Sequence, residues 1–239
     1  MLAKRLLNSF RLGFLFIGRT RSRLPRSVQF NRGRIKLFYP DDDGGYLSDI
    51  INVWLDDEYG LLKVKKVPCT IVDVGANIGL FSLWAWNLFP EATIHSYEPN
   101  PKLFSSLSSN LRTTSVIIHK AGVGSKNHNA QMKEMSDSRL STVDLDHSGN
   151  IKVVSLSSVL NDIGGTIDLL KMDCEGAEWD ILKDVTAFKN IRSIRMEYHL
   201  IDSWRFDDLH LQLANLGFKL THHYPNTGFG IAYFDKLYE

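Results

Sequence analysis

Cysteine, long apolar runs and metal-ligand spacings are scarce in this 239-residue chain, and each scarcity removes a class of protein. Two cysteines, Cys69 and Cys174, cannot build a disulfide-dense secreted scaffold. Both fall in or beside segments that read as buried strands, which predicts packed free thiols and a reducing, cytoplasmic setting. No stretch approaches the ~20 apolar residues that span a bilayer, and no small-residue cleavage site follows the first apolar segment clearly enough for a secretory signal. HExxH is absent, there is no Cys cluster, and the eight histidines are mostly scattered, so no metal is expected. Acidic residues are missing from one region. Residues 1–40 hold ten Lys or Arg and no Asp or Glu; with +1 formal net charge overall, the rest carries −9. A basic arm (1–40) thus precedes an acidic domain (41–239), large enough for one substantial core.

Within the arm, Leu2, Leu6, Leu7, Phe10, Phe14 and Ile17 recur at intervals of three and four, with Lys4, Arg5 and Arg11 among them, the pattern of an amphipathic helix. Two destinations are open to it: an anionic membrane surface, met through residues 1–36, or the chain's own domain. Nucleic acid is not expected as a partner. The arm has no interleaved aromatics beyond the phenylalanines of its stripe, and the acidic domain behind it repels phosphate.

Residues 71–79 read IVDVGANIG and residues 93–101 read TIHSYEPNP. Ile71, Val72 and Val74 are the β-branched run of a buried parallel strand, and Gly75 and Gly79 bracket a turn, carrying Asn77, into the helix that Leu80 begins. Glu98 ends the next apolar strand 19 residues after Gly79, near the ~20-residue offset at which a carboxylate accepts from ribose hydroxyls. A dinucleotide site needs a third glycine where pyrophosphate meets the helix, and Leu80 stands there instead. Asp73, two residues before the first glycine, repels pyrophosphate but suits a cationic amine and a sulfonium centre. S-adenosylmethionine carries both.

Strands expected at Thr70–Val74, Thr93–Tyr97, Val116–His119, Ile167–Met172 and Ile191–Tyr198 alternate with helices at Leu80–Leu88 and Lys102–Leu111, which implies a doubly wound parallel sheet. Lys219–His222 and Gly230–Phe234 read as a closing antiparallel pair. Residues 124–165 form an insertion with alternating runs at Ala130–Met135 and Ile151–Leu156, predicting a small β element. In such a sheet the strand-end acids Asp73, Glu98, Asp173 and Glu197 converge on one face.

The segments VDVGANIG (72–79), SYEPNP (96–101) and LLKMDCEGAEWDIL (169–182) resemble the FkbM family of S-adenosylmethionine-dependent methyltransferases, from about Asp49 to Phe234. In the last block Lys171, Asp173, Glu175, Gly176, Ala177 and Glu178 follow the family pattern, with Cys174 where an aliphatic residue is usual. The resemblance implies a Rossmann-like class I methyltransferase fold, S-adenosyl-L-methionine held by Asp73, Gly75, Asn77, Gly79, Glu98 and Asp173, and a hydroxyl acceptor on a glycan, lipid-linked sugar or secondary metabolite. An alcohol's high pKa calls for a general base, and Glu175, Glu197 and His199 are the candidates, His199 through an imidazole titrating near neutrality. Glu178 reads as a hydrogen-bonding support. Two alternatives stand beside this: a metal-assisted diol or catechol O-methyltransferase with Asp173 and Glu197 on a hard cation, and a non-catalytic cofactor-binding module that uses the arm and insertion as contacts.

Overall fold

Packing of β-branched and aromatic side chains on both faces of one sheet sets the architecture. The computed structural model describes residues 2–40, 45–133, 142–144, 149–201 and 204–237. Its strands are β1 (Ser27–Phe30), β2 (Gly33–Lys36), β3 (Thr70–Val74), β4 (Thr93–Tyr97), β5 (Ile117–His119), β6 (Gly122–Gly124), β7 (His128–Lys133), β8 (Thr142–Asp144), β9 (Ile151–Ser155), β10 (Leu169–Met172), β11 (Ser193–His199), β12 (Phe218–Pro225) and β13 (Phe229–Lys236). The α-helices are α1 (Leu2–Arg11), α2 (Tyr46–Ile50), α3 (Leu80–Leu88), α4 (Pro101–Leu111), α5 (Leu156–Asp162), α6 (Glu178–Ile181) and α7 (Phe206–Asn215).

The main sheet has seven strands in the order β12-β13-β11-β10-β3-β4-β5. From β11 to β5 the pairings are parallel, and β13 and β12 close the edge antiparallel. This is the doubly wound class I methyltransferase architecture expected from the sequence. Its strand order reverses between β3 and β10, where open α/β sheets place their ligand crevice. One core cluster lies around Ile71, Trp54 and Leu83, the other around Val72, Met172 and Phe188. α4 starts where the turn residues put it: Asn100 accepts the Lys102 N–H (3.0 Å) and Pro101 occupies the first turn.

The insertion folds into a second, four-stranded sheet, β6-β9-β7-β8, with β6 and β9 parallel. The run expected to stay extended to Leu156 stops at Ser155, whose hydroxyl accepts the Ser158 N–H (3.0 Å) and opens α5. The end of the Ala130–Met135 run, 134–135, lies outside the described residues.

In the arm, α1 ends sooner than the apolar spacing through Ile17 implied, because Gly13 turns the chain in the left-handed region (φ 75°). Leu12 and Phe16 then enter the core, and the β1–β2 hairpin buries Val28, Phe30 and Ile35 in the cluster that contains Ile71. Both cysteines are free, but Cys69 is exposed rather than packed, since it precedes the first paired residue of β3. No helix among the described residues is long and apolar enough to cross a membrane.

Candidate active site

Strand register alone assembles the carboxyl edge. Val74 pairs with Tyr97 and with Met172, and Met172 pairs with Met196. The residues that follow these four are Gly75, Glu98, Asp173 and Glu197, so three of the four expected acids stand along one edge at the switch point. Asp73 is one rung deeper. It is fully buried, its Oδ1 is 3.1 Å from Lys171 Nζ, and its Oδ2 accepts from Ser82 Oγ (2.5 Å), which also bonds Ser96 Oγ (2.6 Å). Lys171 donates onward to the Gly75 carbonyl (2.6 Å). Burial by itself lowers the Lys171 pKa, but Asp73 and Asp173 outweigh that and hold the ammonium above its ordinary range. Asp73 therefore lies behind the turn, neutralising the lysine that fixes it, and does not line the cleft.

A cleft with about 670 Å³ of empty space, part of it open to solvent, lies in front of that turn. Asn77 sits on its wall in the left-handed region (φ 53°) and donates its N–H to Glu98 Oε2 (2.8 Å), while Glu98 Oε1 accepts the Asn100 N–H (2.8 Å). Each Glu98 oxygen keeps acceptor capacity, and burial pushes this carboxyl up to about 7 against the pull of its two backbone donors. Asn77 Oδ1 is buried with no hydrogen-bond partner, an orphaned acceptor on the same wall. Apolar walls from Tyr97, Leu103 and Val123 complete a surface that fits a nucleoside. The two glycines have reasons other than ligand approach. A Cβ at Gly75 (φ 73°) would collide with the Asp173 carbonyl oxygen, and one at Gly79 (φ 90°) would meet Leu107 Cδ1 at 2.9 Å, on α4.

Beyond Asp173 the chain takes two consecutive left-handed residues, Glu175 (φ 54°) and Gly176 (φ 101°). Glu178, fully buried, holds this bend by accepting from the Cys174 N–H (2.7 Å) and the Gly176 N–H (2.9 Å). That is the supporting position expected for it. Glu175 faces the cleft, and burial, then the neighbouring Asp173 charge, raises its carboxyl to about 7.

His199 is where the sequence expectation needs correcting. Its Nε2 lies 3.4 Å from Glu175 and 3.5 Å from Glu197, and its Nδ1 lies 3.4 Å from Glu178. Burial would lower its pKa, but Glu178, Glu197 and Glu175 together push it up to about 11. An imidazole titrating near neutrality is not what these neighbours leave; the ring is held as imidazolium and has no lone pair to accept a proton. Glu197 is itself raised, by burial and then by Asp173.

Two groups escaped sequence reading. Tyr59 donates to Asp173 Oδ2 (2.8 Å), and Glu58 is pushed up to about 8 by burial and then by Glu197 and Asp173. Their only mark in the sequence is the acidic-aromatic run DDEYG (56–60), which has no periodicity and lies outside every motif. Asp173, Glu175 and His199 also bring one ligand atom each within 4.8 Å of one another.

Residues 73–220, well over half of the chain, match the family model described as the Methyltransferase FkbM domain. The chain belongs to that family. By family and fold it is an S-adenosylmethionine-dependent methyltransferase. Methyltransferase 1 of Beauveria bassiana is 28% identical over 141 residues, covering 47% of this chain and 57% of that protein. The 31-O-demethyl-FK506 methyltransferase FkbM of Streptomyces tacrolimicus is 29% identical over 171 residues, covering 55% of this chain and 66% of that one. Each alignment thus spans less than two thirds of the relative's length. Among solved structures, a chain of a fibrillarin/Nop5p complex superposes with a TM-score of 0.52 at 14% identity, covering 89% of this chain and 98% of its own, and this likeness shows the fold alone. It corrects the resemblance drawn from the motifs in one respect. The Rossmann-like fold that the resemblance implied is that of the methyltransferase superfamily at large, so it is the family match, and not the architecture, that points to FkbM proteins.

Proposed function

We propose that this methyltransferase transfers a methyl group to a hydroxyl oxygen of a small molecule, a glycan, a lipid-linked sugar or a secondary metabolite, with Glu175 as the general base. The observation that carries the reading is the Glu175 carboxyl, raised to about 7 on the wall that also holds Glu98 and Asn77. A base poised near the working pH combines a useful ionised fraction with proton affinity, and such a group contributes typically ~10²- to 10⁴-fold. The naming of the Streptomyces relative as an O-demethyl compound's methyltransferase supports an oxygen acceptor.

S-adenosylmethionine supplies, when bound, an electrophilic methyl carbon on a sulfonium. The chain's own residues do the rest. Glu98 and the Asn77 side chain would offer acceptors to ribose hydroxyls, and the turn at Gly75, fixed by Lys171, would help to hold the cofactor. Asp173, steadied by Tyr59, puts negative charge beside the cationic portion. Glu175 would take the proton that the hydroxyl loses as an O–CH3 bond replaces the S–CH3 bond and a neutral thioether leaves, and the imidazolium of His199 balances the carboxylates around it. Asp173 and Glu175 on the cleft wall disfavour phosphate, so nucleic acid is not proposed as the acceptor.

One observation favours a second reading, the metal-assisted reaction: the proximity of Asp173, Glu175 and His199. That cluster uses Glu175 and His199 in place of the expected Glu197. It also takes up Glu175, the group that serves as base in the metal-free route, so the two readings are alternatives that chelation separates. The test is transfer of labelled methyl from S-adenosylmethionine to a panel of hydroxylated small molecules and to RNA, with chelator and with added Mg²⁺. Labelling of a hydroxyl compound that resists chelator, and a turnover loss in Glu175→Gln with unchanged cofactor affinity, is the expected result. Exclusive labelling of RNA, or turnover abolished by chelator and restored by Mg²⁺, would refute it.

A further inference from the structure

The apolar stripe of α1 faces away from the protein. The helix docks through its polar side: Arg5 Nε pairs with Asp56 Oδ1 (2.8 Å), and Asn8 Nδ2 donates to the Leu55 carbonyl (3.0 Å). Ser9, fully buried, donates to the Leu6 carbonyl (2.9 Å) and accepts the Phe16 N–H (3.1 Å). Opposite this side, Leu2, Leu6, Leu7 and Phe10 are 59%, 42%, 51% and 75% exposed, and Leu15 and Ile17 just beyond are 60% and 49% exposed. A surface helix of a globular domain ordinarily turns its apolar stripe to the core. Here six of the fifteen large apolar side chains exposed among the described residues come from the first seventeen residues. Gathered in one place, such side chains mark a contact surface.

Charge selects the occupant. Lys4 and Arg11 lie on the exposed surface of the same helix, and Arg19, Arg21 and Arg23 are exposed in the segment after it. Among residues 1–36 no acid tempers these cations. A second copy of the chain seated on this face would bring two cationic surfaces together. An anionic surface with an apolar interior satisfies both parts of the pattern, the leucines and Phe10 entering the acyl boundary and the cations lying at the headgroups. We infer that α1 and the segment to Arg23 form a peripheral docking face for anionic phospholipid bilayers. Residues 41–239 carry a net charge of −9, which disfavours their lying flat on the same surface, so the arm sets the orientation. This inference is independent of the acceptor proposed above.

The test uses the full chain with vesicles of phosphatidylcholine, with and without phosphatidylserine. Co-sedimentation should require phosphatidylserine and fall with added salt. Leu6→Glu and Phe10→Glu, on a helix that contributes nothing to the cleft lining, should weaken vesicle binding about ten-fold or more, since each removes an apolar side chain from the acyl boundary and adds a charge of the surface's own sign. Both variants should keep the parental melting temperature and cofactor affinity. Absence of binding to phosphatidylserine vesicles, or equal binding by Phe10→Glu, would overturn the inference. So would a concentration-dependent dimer in ultracentrifugation that Phe10→Glu dissociates, which would assign the face to a second copy.

Discussion

Replacing Lys171 with methionine should be among the most damaging single changes that leave the cleft's lining residues intact. The Lys171 side chain is 4% exposed and Asp73 is wholly buried, so the variant strands a carboxylate 3.1 Å from where its counter-charge was, with only Ser82 to donate to it. It also removes the ammonium from the Gly75 carbonyl. Breaking a buried pair by deleting one partner costs about 3–5 kcal/mol. Against a total stability of about 5–15 kcal/mol that is a large share, and at roughly 2–4 °C per kcal/mol for a chain of this size the melting temperature should fall by about 6–20 °C. The control is the double variant Lys171→Met/Asp73→Asn, which removes both charges and should regain more than half of the loss. Thermal melts by circular dichroism, with denaturant titration for the free energy, measure both. A loss under about 1 kcal/mol in the single variant, or a double variant no more stable than the single, would refute the view that this pair is held together by mutual neutralisation rather than tolerated as two independent charges.

Gly75→Ala should lose stability by about 2 kcal/mol or more and with it cofactor binding, because the added carbon meets the Asp173 backbone in a left-handed conformation; a variant that binds the demethylated cofactor normally in calorimetry would count against that account. Glu98→Gln should weaken the demethylated cofactor about ten-fold, and the parental affinity should rise with pH through about 7 as the carboxyl ionises, a dependence the variant should lack. Stability should decline on the alkaline side. His199 is raised above its ordinary 6.5, so its contribution is complete below about 6.5 and lost towards about 11, and Glu58, raised from 4.5 to about 8, adds a loss across that lower interval. Melting temperatures measured from pH 6 to 10 should fall more steeply in the parent than in His199→Gln; parallel curves would mean that the three carboxylates do not hold the proton.

The sheet and its carboxyl edge were readable because they follow from local facts: β-branched runs, turn glycines and an acid placed directly after each strand. Glu98 and Asp173 are found that way. What reading the chain could not supply is which side chains meet across it. His199 looks like a neutral base until Glu175 and Glu178 arrive from the segment after β10 to join Glu197 of its own strand, and Asp73 looks like a ligand contact until Lys171 and Ser82 claim it. Glu58 and Tyr59 belong to an irregular loop with no period to mark them. Periodicity found the apolar stripe of α1 but not its direction, which is decided by Arg5, Asn8 and Ser9 binding Asp56, the Leu55 carbonyl and the Phe16 N–H.

The contact between Gly75 and the Asp173 carbonyl joins the turn after β3 to the bend after β10 with no space between them. On the proposed mechanism, the cofactor and acceptor sides of the cleft are therefore located by one shared joint, and a shift of either carries the other along. Such a joint keeps donor and acceptor in registration while the surroundings vary, at the cost of fixing the geometry of both. New acceptor preferences in this lineage have little room to arise at 173–178. They have more in the second sheet of the insertion, which reaches the cleft through Gly122, Val123 and Val153.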